Sequence, residues 1–264
     1  MSQSLKDTIL EAARAAGAII ETRFGSSYSI QNKAGVNNLV TEIDTMAEAA
    51  IIDVVRRHHP DHAFLAEESG KQATESEYTW IIDPIDGTMN FTQGIPLCCT
   101  SIAVQKGDEL LAGVIYNPMM NEFFFAEKGK GATLNGEPIS VSPKEDFSRA
   151  CLVTGFPYHW PHEEREHPIK TFERFIMKGT PVRRLGSAAL DLAWTACGRF
   201  DGFWEYNLSP WDIAAGYLIV REAGGRVTNF EGDQADVFNR QTLATNGHIH
   251  EEMLRFIQAG NKKS

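Results

Sequence analysis

The chain has 264 residues, 42% of them hydrophobic and 10% aromatic, enough to build a full core as one large domain or two small ones. Its formal net charge of -10 excludes the broad basic footprint that neutralises phosphates along a nucleic acid, so direct nucleic-acid binding is not expected. Cys98, Cys99, Cys151 and Cys197 form no C-x-x-C pair, which excludes a zinc ribbon and a disulfide framework and points to a reducing, cytoplasmic compartment.

In chain order, Leu5, Ile9, Ala12, Ala13, Ala16, Ile19, Ile20 and Phe24 recur near helical spacing, so residues 5–24 form an amphipathic helix stopped by Gly25. Lys6, Asp7, Glu11 and Arg14 break up that apolar pattern, unlike a signal peptide, and no run of about 18 apolar residues occurs. A soluble protein that is neither exported nor membrane-bound is expected. Residues 26–39 lack periodicity and read as a loop with at most a short strand. Helical spacing returns over 41–58 and ends at Pro60.

HAFLAEES and YTWIIDP each read as a strand that runs into carboxylates at its carboxyl end. The runs around CCTSIAVQKG, LLAGVIYNP and EFFFAEKGKG suggest an antiparallel meander, and KGATLNGEPISVS a hairpin turning at Asn135-Gly136. Strand-like ACLVTGF then opens a series of helices (168–177, SAALDLAWTACG, WDIAAGYLIVREAG) and strands (PVRRLG, FDGFWEY, GRVTNF, TLATNG). A helix over about 250–259 ends it. A soft boundary near 141–148 divides the chain into 1–145, an α+β half bearing the acidic motifs, and 146–264, an α/β half.

Asp-Pro and Asp-Gly are ordinary turn dipeptides, so DPIDG at 83–87 reads equally as a turn or as a ligand set. Repetition favours ligands: Glu67 and Glu68 also stand at a strand end, and Asp212 at a helix start, where plain capping is its default use. Carboxylates gathered at element ends suit Mg²⁺, a hard ion that binds oxygen at about 2.0–2.1 Å. Two such ions about 3.5–4 Å apart serve phosphoryl transfer. His162 and His167 in HEEREH are five apart and would diverge by about 140° on a helix, which rejects a zinc site there. His58, His59, His62, His248 and His250 read as solvated positions. Neither G-x-x-x-x-G-K-[ST] nor G-x-S-x-G occurs, so a P-loop nucleotide hydrolase and a serine hydrolase are unsupported.

AEES at 66–69, DPIDGT at 83–88 and WDIAAG at 211–216, in this order and at these separations, closely resemble the inositol monophosphatase family of Mg²⁺-dependent, lithium-sensitive phosphatases. The resemblance spans nearly the whole chain. It implies a fructose-bisphosphatase-like fold, an αβαβα layered sandwich of α/β and α+β character, usually as a homodimer. Two to three Mg²⁺ ions per subunit are implied, held by Glu67, Asp83, the Ile85 carbonyl, Asp86 and Asp212. Asp83 would be shared between the first two ions. Thr88, with Asp44 of VTEID, would orient the attacking water, Glu67 would serve catalysis as a ligand, and Gly87 and Thr88 would face the phosphate through their amides. Lys33 matches a lysine of the loop near the metals. Ser187, Ala188, Glu205 and Asp212 are the implied substrate contacts, with Glu205 accepting hydrogen bonds from inositol hydroxyls.

The implied activity is hydrolysis of myo-inositol 1-phosphate to inositol and phosphate. Fructose 1,6-bisphosphate, histidinol phosphate and 3'-phosphoadenosine phosphate are the alternatives used by related enzymes. A regulatory role in transcription is a further alternative, for which Arg183 and Arg184 form a small basic pair. Ser209-Pro210 and the PYHWPHEEREH segment depart from the pattern where they could alter specificity.

Overall fold

The computed structural model describes residues 4–32, 39–157 and 166–261. Helix α1 (Leu5–Arg23) begins where the Ser4 side chain accepts from the Asp7 amide. Short strands β1 (Ile30–Asn32) and β2 (Leu39–Thr41) pair antiparallel, and α2 (Glu42–His58) follows from a capping box between Thr41 and Asp44.

The first large sheet takes β3 (Ala63–Ala66), β4 (Gly70–Gln72), β5 (Tyr78–Asp86), β6 (Cys99–Lys106), β7 (Glu109–Asn117), β8 (Glu122–Glu127), β9 (Ala132–Leu134) and β10 (Glu137–Pro138). Its order is β10-β9-β8-β7-β6-β5-β3-β4, the expected meander with β3 added parallel to β5. Asn135 and Gly136 join β9 to β10, both at positive φ (52° and 87°), as a tight hairpin requires. The short α3 (Thr88–Thr92) follows β5.

The second sheet comprises β11 (Leu152–Thr154), β12 (Val182–Arg183), β13 (Gly202–Tyr206), β14 (Arg226–Thr228) and β15 (Gln241–Thr245), ordered β12-β11-β13-β15-β14. Helices α4 (Glu166–Met177), α5 (Ala188–Ala196), α6 (Pro210–Glu222) and α7 (His250–Asn261) complete the chain. No helix among the described residues is long and apolar enough to cross a membrane.

Strand alternation creates the layers, because successive side chains leave opposite faces of a sheet. On β5, Trp80 and Ile82 join Ile9, Ala16 and Ile51 of α1 and α2, whereas Ile81 faces Leu192, Ile213 and Tyr217 of α5 and α6. The second sheet gives Val153, Phe203 and Ala244 to that same middle layer, and Trp204 and Leu243 to Phe175 of α4 and Met253 of α7. The result is the αβαβα sandwich. Being covered on both sides, α5 is buried at every residue, which its near-continuous apolar sequence allows.

Three local expectations change. DPIDG is not a turn after the strand: β5 continues through Asp86 with a bulge, since Asp83 pairs with Ser101 but Asp86 with Cys99. Pro84, which has no amide to give a ladder, lies inside that bulge. His250 is fully buried rather than solvated, its ring nitrogens 2.9 Å from the Thr228 and Thr245 hydroxyls. His59 and His62 are half-buried and stacked on each other, with His62 Nδ1 accepting from Trp80 Nε1. HEEREH begins at residues outside those described.

Candidate active site

A cavity of about 370 Å³ opens where the first sheet, the second sheet and the middle helices meet, lined by Glu67, Asp83, Asp86, Thr88, Glu205 and Asp212. Its first wall follows from β3 running parallel to β5. Ala66 lies opposite Ile82, so the next residues, Glu67 and Asp83, stand side by side where β3 ends, and the Glu67 amide bonds the Ile82 carbonyl at 3.1 Å. The two strand-end acids of the sequence are thus neighbours because their strands are.

Asp83 is 2% exposed, and its Oδ1 has no hydrogen-bond partner. Burial, and then the Glu67, Asp86 and Asp212 carboxylates, push its carboxyl well above the usual carboxylate range. Past the bulge, Asp86 Oδ2 accepts from Ser187 Oγ at 2.6 Å and from the Ala189 amide at 2.7 Å. Burial raises Asp86 to about 6 against those two bonds. Ser187 also caps α5, so its hydroxyl is engaged with Asp86, and Ala188 beside it lines the wall. Nothing in the local sequence marked the Ala189 amide, a helix-start donor far along the chain from Asp86.

Thr88 Oγ1 lies 3.0 Å from Asp44 Oδ1 and 2.9 Å from the Ile85 carbonyl, acceptors that share its one hydrogen. Asp44 is fully buried, with Oδ2 taken by the Thr41 amide and hydroxyl at 2.8 and 2.6 Å. Burial raises its carboxyl, opposed by the bonds from Thr41 and Thr88. Gly87 stands at φ 88°, and a Cβ there would meet the Leu97 carbonyl at 2.8 Å, so the step from bulge to α3 requires glycine.

The opposite wall comes from the middle layer and the second sheet. Asp212 lies in the first turn of α6, with Oδ2 accepting from the Ser209 amide at 2.7 Å in a capping box. Glu205 on β13 is 7% exposed and packs so tightly on Gly155 that a Cβ there would lie 2.3 Å from Glu205 Oε2. Burial, then Asp212 and Asp86, hold Glu205 well above the usual range, with Arg184 opposing. Behind it Asp191 is 1% exposed, both its oxygens lack hydrogen-bond partners, and it is raised by burial and by Glu205 and Asp86. Arg184 and Arg240 line the same cavity, so Arg184 is part of the site's wall. Lys33 lies outside the described residues.

Among the described residues no three His, Cys, Asp or Glu side chains form a ready-made metal cage. The donor set nonetheless fits a hard divalent cation. It consists of carboxylates around an orphaned buried oxygen, and gathered acids are costly to ionise without a counter-charge.

The fold and the site define the class as a layered αβαβα sandwich with an acidic cavity where its sheets meet. The family model for the inositol monophosphatase family matches residues 1–261, and the chain belongs to that family. It is 43% identical to inositol-1-monophosphatase of Synechocystis over 259 residues, 97% of this chain and 90% of that protein. It is 40% identical to Nus factor SuhB of Salmonella typhimurium over 247 residues, 93% and 92% of the two chains. The crystal structure of extragenic suppressor protein suhB from Bartonella henselae superposes with a TM-score of 0.92 at 37% identity, covering 98% of this chain and all of that one. The protein is accordingly an enzyme, a phosphoric monoester hydrolase.

Proposed function

We propose that the chain hydrolyses myo-inositol 1-phosphate to inositol and phosphate in a Mg²⁺-dependent reaction. The observation that carries this reading is Asp83: a buried carboxylate with an oxygen lacking any partner, raised by three neighbouring acids, calls for a cation. Glu67, Asp83, the Ile85 carbonyl, Asp86 and Asp212 would hold two to three ions. When bound, the ions would supply Lewis acidity toward the phosphoryl group and the attacking water.

The chain's own groups set the rest of the step. Thr88 gives its hydrogen to Asp44 or Ile85 and so keeps its lone pairs for a water proton, which orients that water toward phosphorus. The Gly87 and Thr88 amides receive phosphate oxygens, with Lys33 as an added positive charge. Ser187 aims Asp86, Ala188 leaves room for the ring, and Glu205 accepts from alcohol hydroxyls. The half from 1 to 145 would carry most ligands and the half from 146 to 264 the alcohol contacts, in a cytoplasmic, lithium-sensitive homodimer.

Measuring phosphate release from myo-inositol 1-phosphate, fructose 1,6-bisphosphate, histidinol phosphate and 3'-phosphoadenosine phosphate tests the substrate. Inositol phosphate should give the highest kcat/KM, and Glu205→Gln should lower it by about tenfold through KM. A higher kcat/KM for another of the four overturns the assignment.

The relative named a Nus factor favours a second role in transcription alongside catalysis. A cellular phenotype of gene loss that Asp86→Asn fully complements would show that catalysis is not the whole role; failure of that inactive variant to complement would tie the phenotype to catalysis.

A further inference from the structure

Glu48 is a residue that neither the motifs nor the proposed chemistry uses. It stands four residues after Asp44, hence on the same face of α2, and is 4% exposed. Its Oε2 accepts from the Glu68 amide and its Oε1 from the Ser69 amide, each at 2.9 Å. These amides belong to the tight turn that joins β3 to β4, closed by the Ala66–Gly70 pair, with Gly70 at φ 71°. Glu67 is the first residue of that turn, and its own amide is bonded to Ile82. Three successive amides from Glu67 to Ser69 are thus fixed, the first by the sheet and the next two by one buried carboxylate. This leaves the backbone at Glu67 little freedom in the direction of its Cβ.

Resting on the metal reading above, we propose that Glu48 is a positioning residue for the ion site. By holding the Glu67–Ser69 turn, it sets where the Glu67 carboxylate stands against Asp83. One helical turn earlier Asp44 holds Thr88, so a single face of α2 aligns a metal ligand from β3 with the hydroxyl that follows β5. A hairpin needing only stability could leave those turn amides to water. A buried carboxylate spent on them instead matches the way outer groups orient the ligands of a metal site.

The test compares Glu48→Ala and Glu48→Gln with the parent and Asp86→Asn, all as full-length metal-free protein. Affinity for Mg²⁺ is read by calorimetry and for Mn²⁺ by electron paramagnetic resonance, and amide exchange is followed over residues 66–72. Glu48→Ala should bind about 10- to 100-fold more weakly, and Glu48→Gln, which keeps one acceptor, should recover part of the loss. Exchange at the turn should accelerate in both, while kcat at saturating metal and the KM for substrate stay within about threefold of the parent. Parental metal affinity in a folded Glu48→Ala overturns the proposal, whether or not the turn loosens. Should that variant fail to fold, parental affinity in Glu48→Gln does the same. Asp86→Asn separates the failures: if it binds metal as the parent does, the ion site itself is misassigned and both readings fall. If it loses binding while the Glu48 variants keep theirs, only the role of Glu48 is lost.

Discussion

Two buried aspartates in this molecule have opposite surroundings. Asp201, fully buried just before the central strand β13 of the second sheet, receives Ser142 Oγ, Lys144 Nζ at 2.9 Å and the Cys151 amide at 2.7 Å. Asp83, equally deep in the first sheet, has other carboxylates around it and an oxygen with no partner. Burial alone therefore does not separate a structural acid from a functional one. What separates them is whether the fold itself supplies the positive and hydrogen-donating groups.

That contrast fails at once if both acids respond alike to neutralisation. Asp201→Asn should destabilise the protein by about 1–3 kcal/mol, because the buried Ser142 and Cys151 donors lose part of their acceptor while the half-exposed Lys144 turns to water. Asp83→Asn should instead raise the metal-free melting temperature, by an amount equivalent to about 1–2 kcal/mol, while lowering kcat/KM by about a thousandfold. Chemical denaturation and steady-state assays measure the pair.

His250 sharpens the same distinction with a base that the fold keeps neutral. Burial, aided by Arg226, lowers it to about 4 against Glu251. The unfolded chain takes the proton first, near the usual histidine value of about 6.5, so the stabilising effect is complete above that pH and is lost as pH falls from there to about 4. The loss should amount to roughly 3 kcal/mol in denaturation curves, and His250→Gln should flatten that slope.

Gly87→Ala should cost about 1–3 kcal/mol, since φ 88° and the nearby Leu97 carbonyl both oppose a side chain. Thermal melts of the metal-free protein check it. The smallest effect belongs to Ser187→Ala, which releases a bond on Asp86 and the cap of α5. Stability should fall by about 1 kcal/mol and half-saturating Mg²⁺ rise about tenfold, as melts and titration of activity against Mg²⁺ would show.

Most helices and the meander were legible because their periodicity is local: α1, α2 and β6 to β8 lie close to where apolar spacing predicted them. The αβαβα layering was reached through the family resemblance, since no local pattern says that α5 would be covered by sheets on both sides. The carboxylates could be listed from AEES, DPIDG and WD, but not the reason Glu67 meets Asp83, which is a parallel register between β3 and β5. The bulge from Asp83 to Asp86 was hidden because Asp-Pro and Asp-Gly are also turn dipeptides. Ala189 and Glu48 were invisible for another reason: each acts on or through backbone amides, and an amide carries no residue-type signal. His250 misled because it stands at the start of the last helix beside Glu251 and Glu252, whereas Thr228 reaches it from β14.

The middle helical layer has a consequence for the chain's endurance. Glu67 and Asp83 come from the first sheet, whereas Asp212 lies in the first turn of a helix pressed between both sheets. An ion held between Asp83 and Asp212 would clamp distant parts of the chain and be released only when they separate. By mass action, saturation a hundredfold above the dissociation constant would add about 2.7 kcal/mol to the cost of unfolding. Ambient divalent cation would then act as a thermostat, setting the temperature at which the molecule comes apart.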